Sequence, residues 1–194
     1  MPKTDHAPVR RLRRAERREQ ILAAATNAFA RTGFASTGLD DIAAETGVSR
    51  VILYRHFESK TALYRAVLDR AVGHLVAATD VEVGEASVHA LLAWAGRDPA
   101  GFRLLFRHAA REPEFCRGID ELRATMVAQV HERLTESIPD GPWADWAAQL
   151  ATTVCLEAIM AWLDAGSPSP DDAADRINRA VECVIQADRR HRHD

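Results

Sequence analysis

Apolar residues recur at spacings of three and four along almost the whole chain, and no run of β-branched residues alternates with period two. The pattern predicts an all-α protein of nine helices. The first, 15–32, carries Ile21, Leu22, Ala25 and Phe29 on one face and stops at Gly33. A short helix over 38–46 is capped by Thr37 or Gly38, points Leu39, Ile42 and Ala43 inward, and puts Asp40 and Asp41 at its positive end. Gly47 breaks it, and Ser49 opens another short helix that runs toward Phe57 with Ile52, Leu53 and Tyr54. Ser59 caps a longer one to residue 80, with Leu63, Val67, Leu68, Ala71 and Leu75 along its buried stripe. Further amphipathic helices follow over 85–95, from Asp98-Pro99, from Glu112-Pro113, over 143–165 and over 171–187. Pro139-Asp140-Gly141-Pro142 and Gly166-Ser167-Pro168-Ser169-Pro170 separate the last three.

Composition agrees with a folded protein. The 194 residues are 47% apolar and 27% charged, enough to bury a core and unlike a disordered chain. The longest apolar runs, Ala90 to Ala95 and Ala158 to Leu163, are six residues, far from the roughly 18 that a transmembrane helix needs. No membrane partner is therefore expected. The N-terminus has no apolar segment of a secretory signal. Cys116, Cys155 and Cys183 form no CxxC pair, which points to a reduced, cytoplasmic setting.

Charge is divided unevenly. Residues 1–60 hold 11 basic and 7 acidic residues, a net of +4, whereas the remainder nets −7. One third of the chain attracts a polyanion and the rest repels one. Residues 1–14, with Arg10, Arg11, Arg13 and Arg14 among prolines, read as a disordered basic arm.

The informative stretch is GFASTGLDDIAAETGVSRVILYRHFESK, from Gly33 to Lys60. Two short helices joined by a glycine-containing turn make a helix-turn-helix, in which the first crosses the phosphate backbone and the second enters the major groove. Ile42, Ala43, Val48, Ile52 and Phe57 supply the small core that sets their angle, and Arg50, Val51, Tyr54 and Arg55 form the outer face. The order Gly33-Phe34, Thr37, Asp41-Ile42-Ala43, Gly47-Val48-Ser49, Leu53-Tyr54, His56-Phe57, Ser59-Lys60 and Leu63 resembles the TetR family of bacterial transcriptional regulators over about residues 16–65. Gly38 stands where that family commonly has a hydroxyl residue, and Val51 and Ile52 replace small residues, so base readout should be its own.

The resemblance implies a homodimer. Each N-terminal three-helix domain, here 15–58, sets its third helix in the major groove of a palindromic operator. The C-terminal domain, 59–194, holds a small-molecule effector, and its last two helices pair with their copies. Effector binding changes the separation of the reading heads and releases the DNA, most often as repression. Carried over residue by residue, Thr37 and Ser49 donate to phosphate, Tyr54 and His56 contact the backbone, and Lys60 lies beside a phosphate. Arg50 is the first choice for guanine O6 and N7, or else pairs with Asp41 or Glu45, while Val51 meets a thymine methyl. Arg55 completes the DNA face.

For the effector, Trp94, Phe102, Phe106, His108, Met126 and Cys155 are the candidate lining, and it is mostly apolar. Trp143, Trp146, Ala158 and Trp162 on one helix, with Ile177, Val181 and Val184 on the next, are the candidate dimer seam. No cofactor or metal is expected. There is no GxGxxG, GxxxxGK[ST], GxSxG, HExxH or ExxH pattern, which argues against an enzyme. The alternative, an architectural DNA-binding protein without an effector, fits poorly with a body of net −7.

Overall fold

The computed structural model describes residues 14–79, 83–136, 139 and 141–190, and these contain nine α-helices and no strand. They are α1 (Arg14–Ser36), α2 (Leu39–Thr46), α3 (Arg50–His56), α4 (Lys60–Ala78), α5 (Glu85–Arg97), α6 (Pro99–Arg103), α7 (Cys116–Thr135), α8 (Pro142–Asp164) and α9 (Pro170–Arg190). The basic arm expected at 1–14 lies outside the described residues except for Arg14.

Most helix ends follow local chemistry. At Gly33 the backbone leaves the helix, with φ 79° and ψ 173°, a conformation open mainly to glycine, before one more turn to Ser36. Ser59 accepts the Ala62 N–H at 3.0 Å and starts α4. Asp98 accepts the Gly101 N–H at 2.9 Å ahead of Pro99, which starts α6. Beyond α6 the rod continues as a π turn over Leu104–His108 and a 3-10 turn over Ala109–Arg111. The π turn lets Leu104, Leu105 and Phe106 all be buried in succession, which a regular helix rarely allows. Glu112-Pro113 does not open α7. The Glu112 carbonyl takes the N–H groups of both Phe115 and Cys116 at 2.9 Å, closing a turn that delays the helix to Cys116.

One continuous apolar core runs from Ile21 on α1 to Ile177 on α9. A smaller cluster, Leu134, Ala144, Ala147 and Ala148, fills the space where α7 meets α8. The division at residues 58/59 therefore falls at a helix cap inside a shared core. α4 belongs to both sides: Tyr64 packs edge-on against Phe29 of α1 at 4.8 Å, and Leu75, three turns on, lines a cavity in the body. Phe34 and Phe115 complete the aromatic knot, each about 5 Å from Tyr64 (4.9 and 4.6 Å). α8 is long and apolar enough by length and composition to cross a membrane, although none of its apolar runs exceeds six residues. Instead it is the central helix of the body, with 56% of its apolar window buried.

Tyr64 is fully buried and its hydroxyl has no hydrogen-bond partner among the described residues, and burial holds its pKa well above the ordinary range. Tyr64→Phe removes an unsatisfied polar atom and keeps the ring contacts. Urea unfolding should show it as stable as the parent or about 1 kcal/mol more stable. A loss of that size would mean that the hydroxyl is bonded.

Candidate nucleic-acid interface

Gly47 makes the turn between α2 and α3. It adopts the left-handed conformation, φ 65° and ψ 22°, and its N–H and that of Val48 close on the last turn of α2. Val48, Leu53 and Phe57 are buried beneath it. Leu53 is the anchor of α3, more deeply placed than Ile52, which is only half-buried against the core. α2 is held in turn by Asp41, which accepts the Gly38 N–H at 2.8 Å, and by an Arg31–Glu45 ion pair from α1.

This packing leaves Arg50, Val51, Tyr54 and Arg55 on one outward face of α3, at the i, i+1, i+4, i+5 positions of a helical stripe. Val51 is 63% exposed and Tyr54 48%, so this face holds apolar and aromatic side chains open to a partner. Ser49 caps α3 without a side-chain cap bond. Arg50 does not reach Asp41 or Glu45. It pairs with Asp40, Nη1 to Oδ2 at 3.3 Å, and its guanidinium lies 5.8 Å from the centre of the Tyr54 ring.

The flanks are basic. Arg18 lies 5.0 Å over the Phe57 ring, and Arg14, Arg17 and Arg18 of α1 surround His56. Burial, then these three charges, lower the His56 pKa from its ordinary value. In the free protein this favours the neutral imidazole. Lys60 donates to the Ala35 carbonyl at 3.3 Å and sits 4.6 Å over the Phe34 ring, so it ties α4 to the α1–α2 turn while keeping donors for solvent.

Thr37 is a correction. It is 2% exposed, and its hydroxyl lies 2.7 Å from the Gly33 carbonyl and 2.8 Å from the Thr32 hydroxyl. A threonine has one hydroxyl proton, and here it is spent inside the α1–α2 turn. Thr37 shapes that turn and offers nothing to phosphate.

In the body, a cavity of about 890 Å³ lies among α4, α5, α7, α8 and α9. Its wall combines aliphatic side chains, among them Leu75, Val88, Leu91, Leu122 and Leu156, with polar and charged ones, among them Gln129, Asn178, Arg133, Arg179, Asp175 and Glu182. Of the residues expected to line it, Met126 and Cys155 do. Burial pushes the Cys155 thiol up to about 11, so it acts there as a small apolar group. Trp94, Phe102 and Phe106 do not line it: their rings meet at tilted angles, 5.6 and 4.9 Å apart, in the packed core, and Trp94 borders a separate pocket with His74, Arg97 and Asp98. His108 points instead to the end of α1, bonds the Ala30 carbonyl, and has its pKa lowered chiefly by burial. Periodicity gave no signal for the α9 wall, because Asn178 and Arg179 read as ordinary surface positions.

The expected dimer seam also divides. Trp143 is 62% exposed and Trp146 48%, set edge-on at 6.1 Å, and Ala158 and Val184 are half-buried. Trp162 is buried and its indole N–H donates to the Pro168 carbonyl at 2.8 Å, closing the α8–α9 loop. Ile177 is buried in the chain's own core, and Val181 lines the cavity. These three are intramolecular contacts, because α9 packs along α8 and α5 of the same chain.

The chain resembles known proteins in sequence and in fold. The family described as "Bacterial regulatory proteins, tetR family" matches residues 21–67. The HTH-type transcriptional activator FasR of Mycolicibacterium smegmatis is 32% identical over 183 residues, covering 84% of this chain and 80% of that protein. The HTH-type transcriptional regulator TtgR of Pseudomonas putida is 43% identical over 70 residues, covering 34% of this chain and 33% of its own. A crystal structure of a TetR-like transcriptional regulator from Rhodococcus sp. RHA1 superposes with a TM-score of 0.76 at 24% identity, covering 88% of this chain and 96% of that one.

Proposed function

The chain belongs to the TetR family of bacterial regulatory proteins, and from that premise we propose that it binds a palindromic operator as a homodimer and leaves it when a small, mostly apolar effector enters the body cavity. As a family member it is a transcriptional regulator and not an enzyme. In this reading residues 15–58 are the reading head, 59–194 the effector and dimerisation domain, and the protein works in the cytoplasm. α3 reads base edges through Arg50 and Val51. Ser49, Tyr54, Arg55, His56 and Lys60 meet the backbone. The exposed Trp143 and Trp146, with Ala158 and Val184, contribute to the dimer seam.

The observation that carries the reading is α4. Its first residue, Lys60, touches the α1–α2 turn of the head, and Leu75, Val76 and Thr79 near its end line the cavity. A ligand that changes the position of that end moves the head. Repression is the family's common mode, yet FasR is an activator. Release of DNA serves either outcome, depending on where the operator lies relative to the promoter. A purely architectural protein is the weaker alternative, since it has no use for the cavity.

The test is reciprocal. A compound that stabilises the protein thermally through the cavity should weaken operator binding by the same coupling factor, typically 1–3 kcal/mol. Cys155→Trp puts an indole into the cavity, and it should abolish that response while operator affinity without effector is retained. An undiminished response in a folded Cys155→Trp protein would move the effector site elsewhere.

A further inference from the structure

We propose that Asp40 is a specificity-determining positioning residue, which buttresses Arg50 so that the guanidinium reads a base edge and is withheld from phosphate. The inference rests on the reading of α3 as the DNA-contacting helix. Asp40 and Asp41 are adjacent on the first turn of α2 and do different things. Asp41 is occupied locally, accepting the Gly38 N–H at 2.8 Å. Asp40 reaches across to α3, where both of its oxygens meet the same nitrogen of Arg50, Nη1, at 3.4 and 3.3 Å. Both side chains are more than half exposed, so the pair stands on the face that turns toward the duplex.

Asp40 suits the positive end of α2, yet an acidic residue on that face is a liability toward DNA that a second use would offset. The first helix of a helix-turn-helix crosses the phosphate backbone, so a carboxylate there lowers affinity for any duplex. Its geometry supplies the use. Asp40 engages Nη1, and Tyr54, hydrogen-bonded to Arg50 with its ring centre 5.8 Å from the guanidinium carbon, steadies the group further, so the N–H groups turned away from Asp40 are those of the Nη2–Nε side. They form the edge that spans O6 and N7 of a guanine. Asp40 therefore fixes the orientation of Arg50 before contact and cancels its charge toward the backbone. A guanine in register gains a preoriented fork, and any other sequence gains little from a neutralised pair. α2 keeps the buttress in place, since the Arg31–Glu45 pair and the Asp41 cap anchor it independently of Asp40.

The experiment starts with selection of bound duplexes from a random pool by the wild-type full-length chain. Affinities are then measured for the selected duplex and for a random-sequence duplex of equal length, over a range of salt, for wild type, Asp40→Asn, Arg50→Ala and the double variant. Asp40→Asn is expected to bind the random duplex several-fold more tightly, with a salt slope steeper by about 0.9 as Arg50 is released to a phosphate. The selected duplex should gain nothing or lose, so the specificity ratio falls about tenfold. A second selection with Asp40→Asn should relax one guanine position. In the Arg50→Ala background the Asp40 substitution should no longer change the ratio. Equal gains on both duplexes would reduce Asp40 to a bare repulsive charge and overturn the proposal, as would an unchanged effect in the Arg50→Ala background. Failure of the wild type to select any sequence would overturn the operator reading itself, and the buttress with it. Retained thermal stability of Asp40→Asn separates these outcomes from loss of fold.

Discussion

Phe29→Ala is expected to lower the free energy of unfolding by about 3–5 kcal/mol and to remove DNA binding together with it. Phe29 is fully buried on the inner face of α1, edge-on to Tyr64 at 4.8 Å and 6.3 Å from Phe34. With Phe34, near the end of the same helix, it ties α1 into the aromatic knot with Tyr64 of α4 and Phe115 ahead of α7. Truncation leaves a cavity lined by rings, whose planes cannot collapse without shifting the turn that Thr37 and Gly33 hold. Since a domain of this size has a total stability of about 5–15 kcal/mol, the loss consumes much of the margin. Urea unfolding followed by far-ultraviolet circular dichroism, with operator binding measured in the same buffer, checks both parts. A loss below about 1 kcal/mol would show that the knot is not a joint between head and body.

Arg50→Ala is expected to cost about 1–3 kcal/mol on the selected duplex and to flatten the preference at one base pair. Arg50 lies at the N-terminal end of α3, where a recognition helix addresses bases, with Val51 beside it on the exposed face. Lys60→Ala supplies the contrast. It should weaken selected and random duplexes about equally and reduce the salt slope by about one, because an ammonium near the backbone carries no sequence information. Competition binding across operator variants separates the two. Unchanged relative affinities in Arg50→Ala would take it out of the base-reading role.

How much of this was legible follows from the range of the forces involved. Helix order, the Gly33 and Gly47 breaks and the Ser59 cap are local. A left-handed backbone or an orphan N–H is satisfied by the residue at that position or three away, so sequence alone identified nine helices, their type and the helix-turn-helix. The outward stripe Arg50, Val51, Tyr54 and Arg55 was readable for the same reason, since Leu53 and Phe57 must face the other way. Contacts across elements were not readable. Thr37 carries the same hydroxyl whether it faces phosphate or the Gly33 carbonyl, and only the fold of the α1–α2 turn decided. Arg50 chose Asp40 over Asp41 and Glu45 because Asp41 caps its own helix and Glu45 is taken by Arg31. The cavity was the least visible feature. Trp94, Phe102 and Phe106 have the same apolar spacing as Met126 and Cys155, and a helical stripe reads alike whether the space it faces is filled or hollow. Periodicity reports which face is buried; the positions of neighbouring helices decide what it is buried against. Trp162, Ile177 and Val181 turned inward for that reason, while Trp143 and Trp146 stayed exposed because the start of α8 turns Ala144, Ala147 and Ala148 toward α7 and Ile185 of α9 instead.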